Sequence, residues 1–223
     1  MSMPSVPRQL ALALGHAESH AREDFLEAPS NAAALALIER WPDWPGQTML
    51  LLGPEGSGKS HLAAIWATAA GARFLSARAL SAVLPPVALA TGALVVEDVA
   101  AGSFDERALF HLLNLAREEH AFMLLTARTP PAGWILSIPD LASRLKALPA
   151  VSLAAPDDAL LRGVMVKLFA DRQLIADESL ISFLANRIER SVASARAVVA
   201  ELDREAMRRQ RPLTRALAAE ILR

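Results

Sequence analysis

Cysteine is absent from the 223 residues of this chain. Its absence excludes disulfide bonds, cysteine-ligated zinc and thiol catalysis. The chain also lacks an apolar run of the ~18 residues that a membrane span needs, and residues 1–8 lack the apolar stretch of a secretory signal. We therefore expect a cytoplasmic protein that makes no contact with a membrane.

The chain also has no excess of positive or negative charge. It contains 23 Lys and Arg residues and 24 Asp and Glu residues, which give a net charge of −1. A protein that coats nucleic acid needs an excess of basic residues to neutralise phosphates. The one basic cluster, near the C-terminus, is more typical of a solvated helix end; it consists of Arg204, Arg208, Arg209 and Arg211. We expect no sequence-specific binding of DNA.

The most informative motif matches G-x-x-x-x-G-K-S/T and consists of Gly53, Pro54, Glu55, Gly56, Ser57, Gly58, Lys59 and Ser60. The apolar run 48–52 predicts a buried strand before it, and residues 61–70 predict a helix after it. The glycines let backbone N–H groups turn towards phosphates, and the helix N-terminus adds its positive dipole end. We expect Lys59 to contact the β- and γ-phosphates and Ser60 to ligate Mg²⁺. His61 completes the predicted nucleotide-binding segment.

A second apolar run, residues 94–96, ends in the carboxylates of Glu97 and Asp98. Carboxylates at a strand tip hold Mg²⁺ in P-loop enzymes, so we predict Glu97 as a metal ligand and Asp98 as a catalytic residue. Aspartate is usual at the first of these positions, and the longer side chain of Glu97 could displace the metal. Buried strands often end in acidic residues, so this pattern alone is a weak signal.

Strands and helices alternate along the first two thirds of the chain. Further strands are predicted at 72–75, 93–97, 122–126 and 150–153, and the helices between them include 105–119 and 139–147. This alternation predicts an α/β fold with a five-stranded parallel sheet covered on both faces. After Pro156 four helices are predicted, at 157–171, 177–188, 192–208 and 213–222.

A P-loop core followed by a small all-helical lid is the layout of AAA+ ATPases. We therefore divide the chain into an N-terminal arm (1–24), a nucleotide-binding core (25–155) and a helical lid (156–223).

From about Phe25 onwards the chain resembles the DnaA family of AAA+ replication initiators. The resemblance rests on the string Gly-Lys-Ser-His-Leu at 58–62, the helix that starts at Asn31 and the string Leu-Ala-Ser-Arg-Leu at 141–145. In that family the arginine at the position of Arg144 acts on a nucleotide held by a neighbouring subunit. Arg196 falls at the register of the family's sensor 2 arginine. The resemblance thus implies ADP or ATP with Mg²⁺ as ligands, Arg196 as a nucleotide contact and Arg144 as a catalytic residue in trans.

Two residues depart from the family's pattern. Arg128 stands two positions after Thr126, where an acidic residue is usual, and Glu97 replaces the usual aspartate. Both departures lead us to expect weak intrinsic hydrolysis of ATP. The chain also ends with the lid, without the helix-turn-helix domain that reads DNA in the initiators.

The segment Gln9-Leu10-Ala11-Leu12-Ala13-Leu14 resembles the peptide that binds the DNA polymerase sliding clamp. Gln9 would be its polar handle, and its apolar anchors would be Leu10, Leu12 and Leu14. The same pattern fits an edge strand or the start of a core-packing helix. Combined with the core, it implies a negative regulator of replication initiation that inactivates the initiator. Its implied partners are a DnaA-type initiator and the clamp, with a homodimer as a candidate assembly.

Two other functions remain open. One is an autonomous AAA+ ATPase, such as a remodeller or a protein that resembles helicase loaders. The other is a nucleotide-gated adaptor that recruits proteins to the clamp without provoking hydrolysis.

Overall fold

The structure, a computed structural model, describes residues 20–80 and 85–222. Five strands form one sheet, and they are β1 (Thr48–Leu52), β2 (Arg73–Ser76), β3 (Ala93–Glu97), β4 (Phe122–Ala127) and β5 (Ala150–Ser152). The strand order is β2-β3-β4-β1-β5, and all neighbouring strands are parallel. The predicted α/β class and five-stranded parallel sheet are confirmed.

Successive residues of the central strands pack on opposite faces of the sheet, because side chains alternate along a strand. On β1, Leu50 and Leu52 belong to one buried hydrophobic cluster, whereas Met49 and Leu51 belong to another. Both faces are therefore covered, which explains why the central strands read as continuous apolar runs.

The helices that cover the sheet are α1 (Ala32–Glu39), α2 (Lys59–Ala70), α3 (Pro85–Ala88), α4 (Glu106–Glu118) and α5 (Pro139–Ala147). Most predicted bounds differ from these by one or two residues. The short helix α3 was not predicted, because its two prolines indicate a break. Helix α2 begins at Lys59, so the last two residues of the phosphate-binding motif are already helical.

Four further helices follow the sheet, as predicted: α6 (Asp158–Asp171), α7 (Glu178–Ala185), α8 (Val192–Arg209) and α9 (Arg215–Ile221). Each begins after a residue whose side-chain oxygen accepts a hydrogen bond from a backbone N–H three residues later, and these capping residues are Asp157, Asp177, Ser191 and Thr214. The apolar side chains of this lid form a hydrophobic cluster of their own, drawn entirely from residues 161–221.

The arginines at the end of α8 form ion pairs with nearby glutamates. Arg208 and Arg209 both donate to the Glu205 carboxylate, and Arg209 and Arg211 both reach Glu220. The hydrogen bonds from Arg208 and Arg209 lower the pKa of Glu205 to about 2. These contacts agree with the interpretation as a solvated helix end. Across residues 20–80 and 85–222, none of the helices combines the length and the apolar character needed to span a membrane.

Candidate nucleotide-binding site

The phosphate-binding motif forms a loop at the carboxyl end of β1, where parallel sheets place their ligand sites. Gly56 and Gly58 have φ angles of 69° and 102°, in the left-handed region that favours glycine. At Gly56 space is also limiting, since a Cβ there would lie 2.6 Å from the Cβ of Ser191. The loop is therefore in close contact with the start of α8.

Lys59 lies inside this loop and is only 8% exposed. Its Nζ donates hydrogen bonds to Gly53 O at 2.9 Å and Pro54 O at 2.8 Å. Burial lowers the pKa of Lys59, and the nearby Asp98 carboxylate opposes that shift. The ammonium group is thus held by the backbone that would surround a bound phosphate.

A cavity of about 530 Å³ opens between the loop and the lid. Its volume is within the range of small-molecule sites. Apart from the first two motif residues, Gly53 and Pro54, the predicted nucleotide-contacting residues all line it, and they are Glu55, Gly56, Ser57, Gly58, Lys59, Ser60, His61 and Arg196. The motif and the lid arginine, which are far apart in sequence, therefore meet at one site.

The N-terminus of α8 contributes directly to this cavity. Ser191 caps the helix by accepting a hydrogen bond from Ser194 N at 3.0 Å, and Val192 N donates to Gly56 O at 2.8 Å. Arg196 follows about one turn later and also lines the cavity. Two helix N-termini, those of α2 and α8, consequently face the same space, where their dipoles favour an anion.

The opposite wall comes from residues before α1. His61 Nε2 lies 2.9 Å from Ala21 O, to which it donates, and its ring packs edge-on against Phe25 at 5.2 Å. Burial lowers the pKa of His61 and thereby favours the neutral form of the ring. Asn31 fixes the same segment by donating to Leu26 O and accepting from Ala28 N. His61 therefore anchors this wall of the cavity.

Sequence reasoning missed part of the lining. The segment before α1 supplies His20, Asp24, Phe25, Leu26 and Asn31, and α6 supplies Leu160, Val164, Lys167, Leu168 and Asp171. No local spacing marks these residues, because only the tertiary fold brings them to the loop. The sole signal was that the resemblance to DnaA begins near Phe25.

The two acidic residues after β3 are placed differently. Asp98 lines the cavity, has a φ of 58° and donates its N–H to Thr126 Oγ1 at 3.1 Å. Glu97 ends β3, and within the described residues it is not among those that line the cavity. The structure thus brings Asp98 and Ser60 to one site. The predicted metal ligand Glu97 stays a prediction.

Arg128, which follows β4, also lines the cavity. Its Nη1 lies 2.7 Å from Glu55 Oε2 in the phosphate-binding loop. The residue that departs from the DnaA pattern is therefore in contact with the nucleotide-binding motif.

Arg144 lies elsewhere, on α5. It donates to Asn114 Oδ1, and its guanidinium carbon lies 4.9 Å from the centroid of the Phe110 ring. It lines a second cleft, together with Arg117, and is not one of the described residues around the nucleotide cavity. The predicted partner-binding residues Gln9, Leu10, Leu12 and Leu14 lie outside the described residues.

These features define an α/β fold with a P-loop and a helical lid, the architecture of AAA+ domains. No protein-family model and no curated protein sequence matches the chain. Solved structures do match. Domain III of the replication initiation protein DnaA from Thermotoga maritima aligns with a TM-score of 0.74 at 16% identity, over 91% of this chain and 95% of that one.

Two longer proteins are also similar. DnaA of Aquifex aeolicus bound to AMPPCP has a TM-score of 0.65 at 17% identity and covers 84% of this chain and 68% of its own. The Holliday junction branch migration motor RuvB of Thermotoga maritima has a TM-score of 0.71 at 16% identity. The alignment covers 91% of this chain and 70% of the RuvB chain. At such identities the likeness establishes the AAA+ fold, which DnaA and RuvB share, and nothing finer.

Proposed function

We propose that this chain binds an adenine nucleotide, with ADP as the favoured ligand, between the phosphate-binding loop and the lid. The observation that carries the proposal is that Lys59, Arg196 and two helix N-termini meet at one cavity. In addition, Ser57 Oγ is buried and has no hydrogen-bond partner within the part of the chain that is described. A buried hydroxyl in a phosphate-binding loop fits a ligand that would satisfy it.

The same site fits Mg²⁺. The Ser60 hydroxyl and the Asp98 carboxylate are oxygen ligands of the kind that Mg²⁺ prefers, and both line the cavity. A bound Mg²⁺ would neutralise charge on the β- and γ-phosphates.

We further propose that the chain is a negative regulator of replication initiation that resembles Hda, the DnaA-homologous inactivator. In this proposal residues Gln9 to Leu14 dock on the sliding clamp, and Arg144 completes a site that holds the initiator's ATP. The position of Arg144 supports a role in trans, since it lies apart from the chain's own nucleotide cavity. Asn114 and Phe110 hold its guanidinium in a defined orientation.

The deciding experiment measures hydrolysis of initiator-bound ATP with and without this protein and a DNA-loaded clamp. The wild type should accelerate hydrolysis, because an arginine in trans can supply a factor of about 10³–10⁵. Arg144→Ala should remove the acceleration and keep nucleotide and clamp binding. Arg107→Ala, which replaces an exposed arginine of α4, is the control for loss of an arginine.

A retained wild-type rate in Arg144→Ala would exclude this residue as the finger. Clamp binding without any acceleration by the wild type would support the adaptor function instead.

An autonomous ATPase is the second candidate, because Asp98 lines the cavity and the motor RuvB shares the fold. Steady turnover of ATP by the purified chain, at the ~1 s⁻¹ or faster of a working enzyme, would favour it. The inactivator proposal instead predicts slow turnover, since Glu97 and Arg128 depart from the residues that position Mg²⁺ and water.

A further inference from the structure

The second cleft lies between α4, α5 and the residues around the start of β1. Its volume is about 390 Å³, which is within the range of small-molecule sites. Two of its lining residues, Arg117 and Arg144, are positively charged, and the others are neutral: residues 46–48, Leu113 and residues 147–149. Along residues 20–80 and 85–222, no carboxylate lines this cleft to compensate the two arginines.

Helix α4 brings Arg117 to the side on which Arg144 lies. Phe110, Asn114 and Arg117 are spaced by four and three residues, so their side chains follow one face of the helix. Arg144 packs on that face, since it donates to Asn114 Oδ1 and its guanidinium carbon lies 4.9 Å from the centroid of the Phe110 ring. Asn114 and Arg117 are only about 4.5 Å apart along the helix axis. The two guanidinium groups can therefore reach the same ligand.

The charge of Arg117 has no acidic partner among the described residues. On a helix, a partner would lie three or four residues away, and all four of those positions are non-acidic here. Glu118 and Glu119 follow Arg117 directly, but they point to other sides of the helix and do not line the cleft. On α8, by contrast, Arg204 and Arg208 each pair with a glutamate three residues earlier.

The chemistry of the cleft favours a terminal phosphate as its ligand. Two like charges in one cleft repel each other, and an anion that contacts both relieves that repulsion. A terminal phosphate carries up to two negative charges on three acceptor oxygens, and guanidinium groups bind it through parallel hydrogen bonds. It can therefore accept from Arg117 and Arg144 at once, which is harder for the two oxygens of a single carboxylate.

We infer that Arg117 is a second catalytic arginine of the site in trans: together with Arg144, it binds the γ-phosphate of ATP held by a neighbouring subunit. The inference rests on the proposed function of Arg144.

The reaction at that phosphate is hydrolysis. A water oxygen bonds to the γ-phosphorus, and the bond from that phosphorus to the bridging oxygen breaks. The electron pair of the broken bond goes to the β-phosphate of the departing ADP, and the water gives up a proton to the solvent. Arg117 stabilises the negative charge that develops on the phosphate oxygens during this transfer.

The first test measures hydrolysis of initiator-bound ATP with a DNA-loaded clamp and a saturating concentration of the full chain. Arg117→Ala should lower the maximal rate about tenfold, the value of one hydrogen bond to a charged group. Arg117→Lys should lower it about threefold, because lysine keeps the charge and loses the fork of donors. Arg107→Ala, which removes another exposed arginine of α4, should give the wild-type rate.

A second measurement separates contact with phosphate from a structural role at the end of α4. Arg117→Ala should bind the initiator loaded with AMPPCP about threefold more weakly than the wild type does, because a charge-assisted contact is lost. It should bind the ADP-loaded initiator with unchanged affinity, since ADP has no γ-phosphate. Equal losses of affinity for both forms would show a structural role and would overturn the inference.

DNA is the other source of phosphate in this assay. Without the initiator, Arg117→Ala should bind the DNA-loaded clamp as the wild type does, and weaker binding there would assign the cleft to the DNA backbone and overturn the inference. A wild-type rate of hydrolysis in Arg117→Ala would also overturn it, whereas loss of the rate in Arg144→Ala would leave the proposed function standing. A wild type that does not accelerate hydrolysis would overturn both.

Discussion

Individual charged and polar groups determine what the cavity can bind, and Lys59 is the most constrained of them. Its ammonium group is buried, its pKa is lowered by that burial, and its hydrogen bonds go to Gly53 O and Pro54 O. Such a position is unfavourable for a charge by itself and becomes favourable when a phosphate is near.

Replacing Lys59 with alanine should therefore weaken ADP binding about a hundredfold, the upper range for a hydrogen bond to a charged group. Isothermal calorimetry on the wild type and the variant measures the change. Lys146→Ala, on the exposed side of α5, is the control and should bind ADP as the wild type does. If all three proteins bind ADP with the same affinity, the phosphate-binding loop is not part of the nucleotide site.

His61 makes the stability of the protein dependent on pH. Because its pKa is lower in the folded protein than the ordinary 6.5, the unfolded chain binds the proton first as the pH falls. The free energy of unfolding should therefore decrease from pH 6.5 downwards until the pKa of the folded state is passed. Urea denaturation at a series of pH values measures this decrease. His61→Gln, which keeps a donor for Ala21 O, should flatten this part of the profile, and an unchanged profile would refute the assignment.

At the scale of elements, the contact between α8 and the phosphate-binding loop joins the lid to the sheet. Ser191 caps α8 while its Cβ lies against Gly56, and Val192 donates to the carbonyl of Gly56. Ser191 therefore stabilises α8 as its cap. The contact of the same residue with Gly56 also fixes the position of α8 beside the proposed nucleotide site.

Ser191→Ala should lower the free energy of unfolding by about 1 kcal/mol, the usual effect of losing a cap, and should also weaken ADP binding. Asp177→Ala is the matched control, because Asp177 caps α7 by accepting a hydrogen bond from Leu180 N at 2.7 Å and does not line the cavity. It should cause a similar loss of stability and leave ADP affinity unchanged. If both variants bind ADP equally well, the start of α8 contributes nothing to the site.

Local signals in the sequence were sufficient for most elements. The acidic starts of α6 and α7 and the apolar runs of β1, β3 and β4 predicted these elements within a few residues. The cavity wall formed by Phe25 and Lys167, by contrast, has no local signal. Its residues lie on separate segments that only the packing of the lid against the sheet brings together, and the pair of Arg128 with Glu55 arises in the same way.

At the scale of the whole molecule, the arm, the sheet and the lid have separable tasks in the proposed function. Replacing Gln9, Leu10 and Leu12 with alanine should remove clamp binding and leave ADP binding intact, since these residues precede the core. Burial of two leucines on the clamp contributes only about 3–6 kcal/mol to binding, before the cost of ordering the arm is subtracted. Repeated binding sites on the clamp ring should therefore strengthen the interaction by raising the effective concentration.

A pull-down with clamp measures the first effect and calorimetry measures the second. Recovery of clamp by the triple variant would contradict the assignment of the arm.

Helix α8 begins at the phosphate-binding loop and continues for 18 residues to Arg209. At 1.5 Å per residue it is about 27 Å long. A tilt of about 10° around its start would therefore displace its far end by about 5 Å. That end carries the ion pairs of Arg209 with Glu205 and Glu220. If α8 tilted as a rigid rod, a small rearrangement around a phosphate would be amplified into a larger movement of a charged surface remote from the nucleotide.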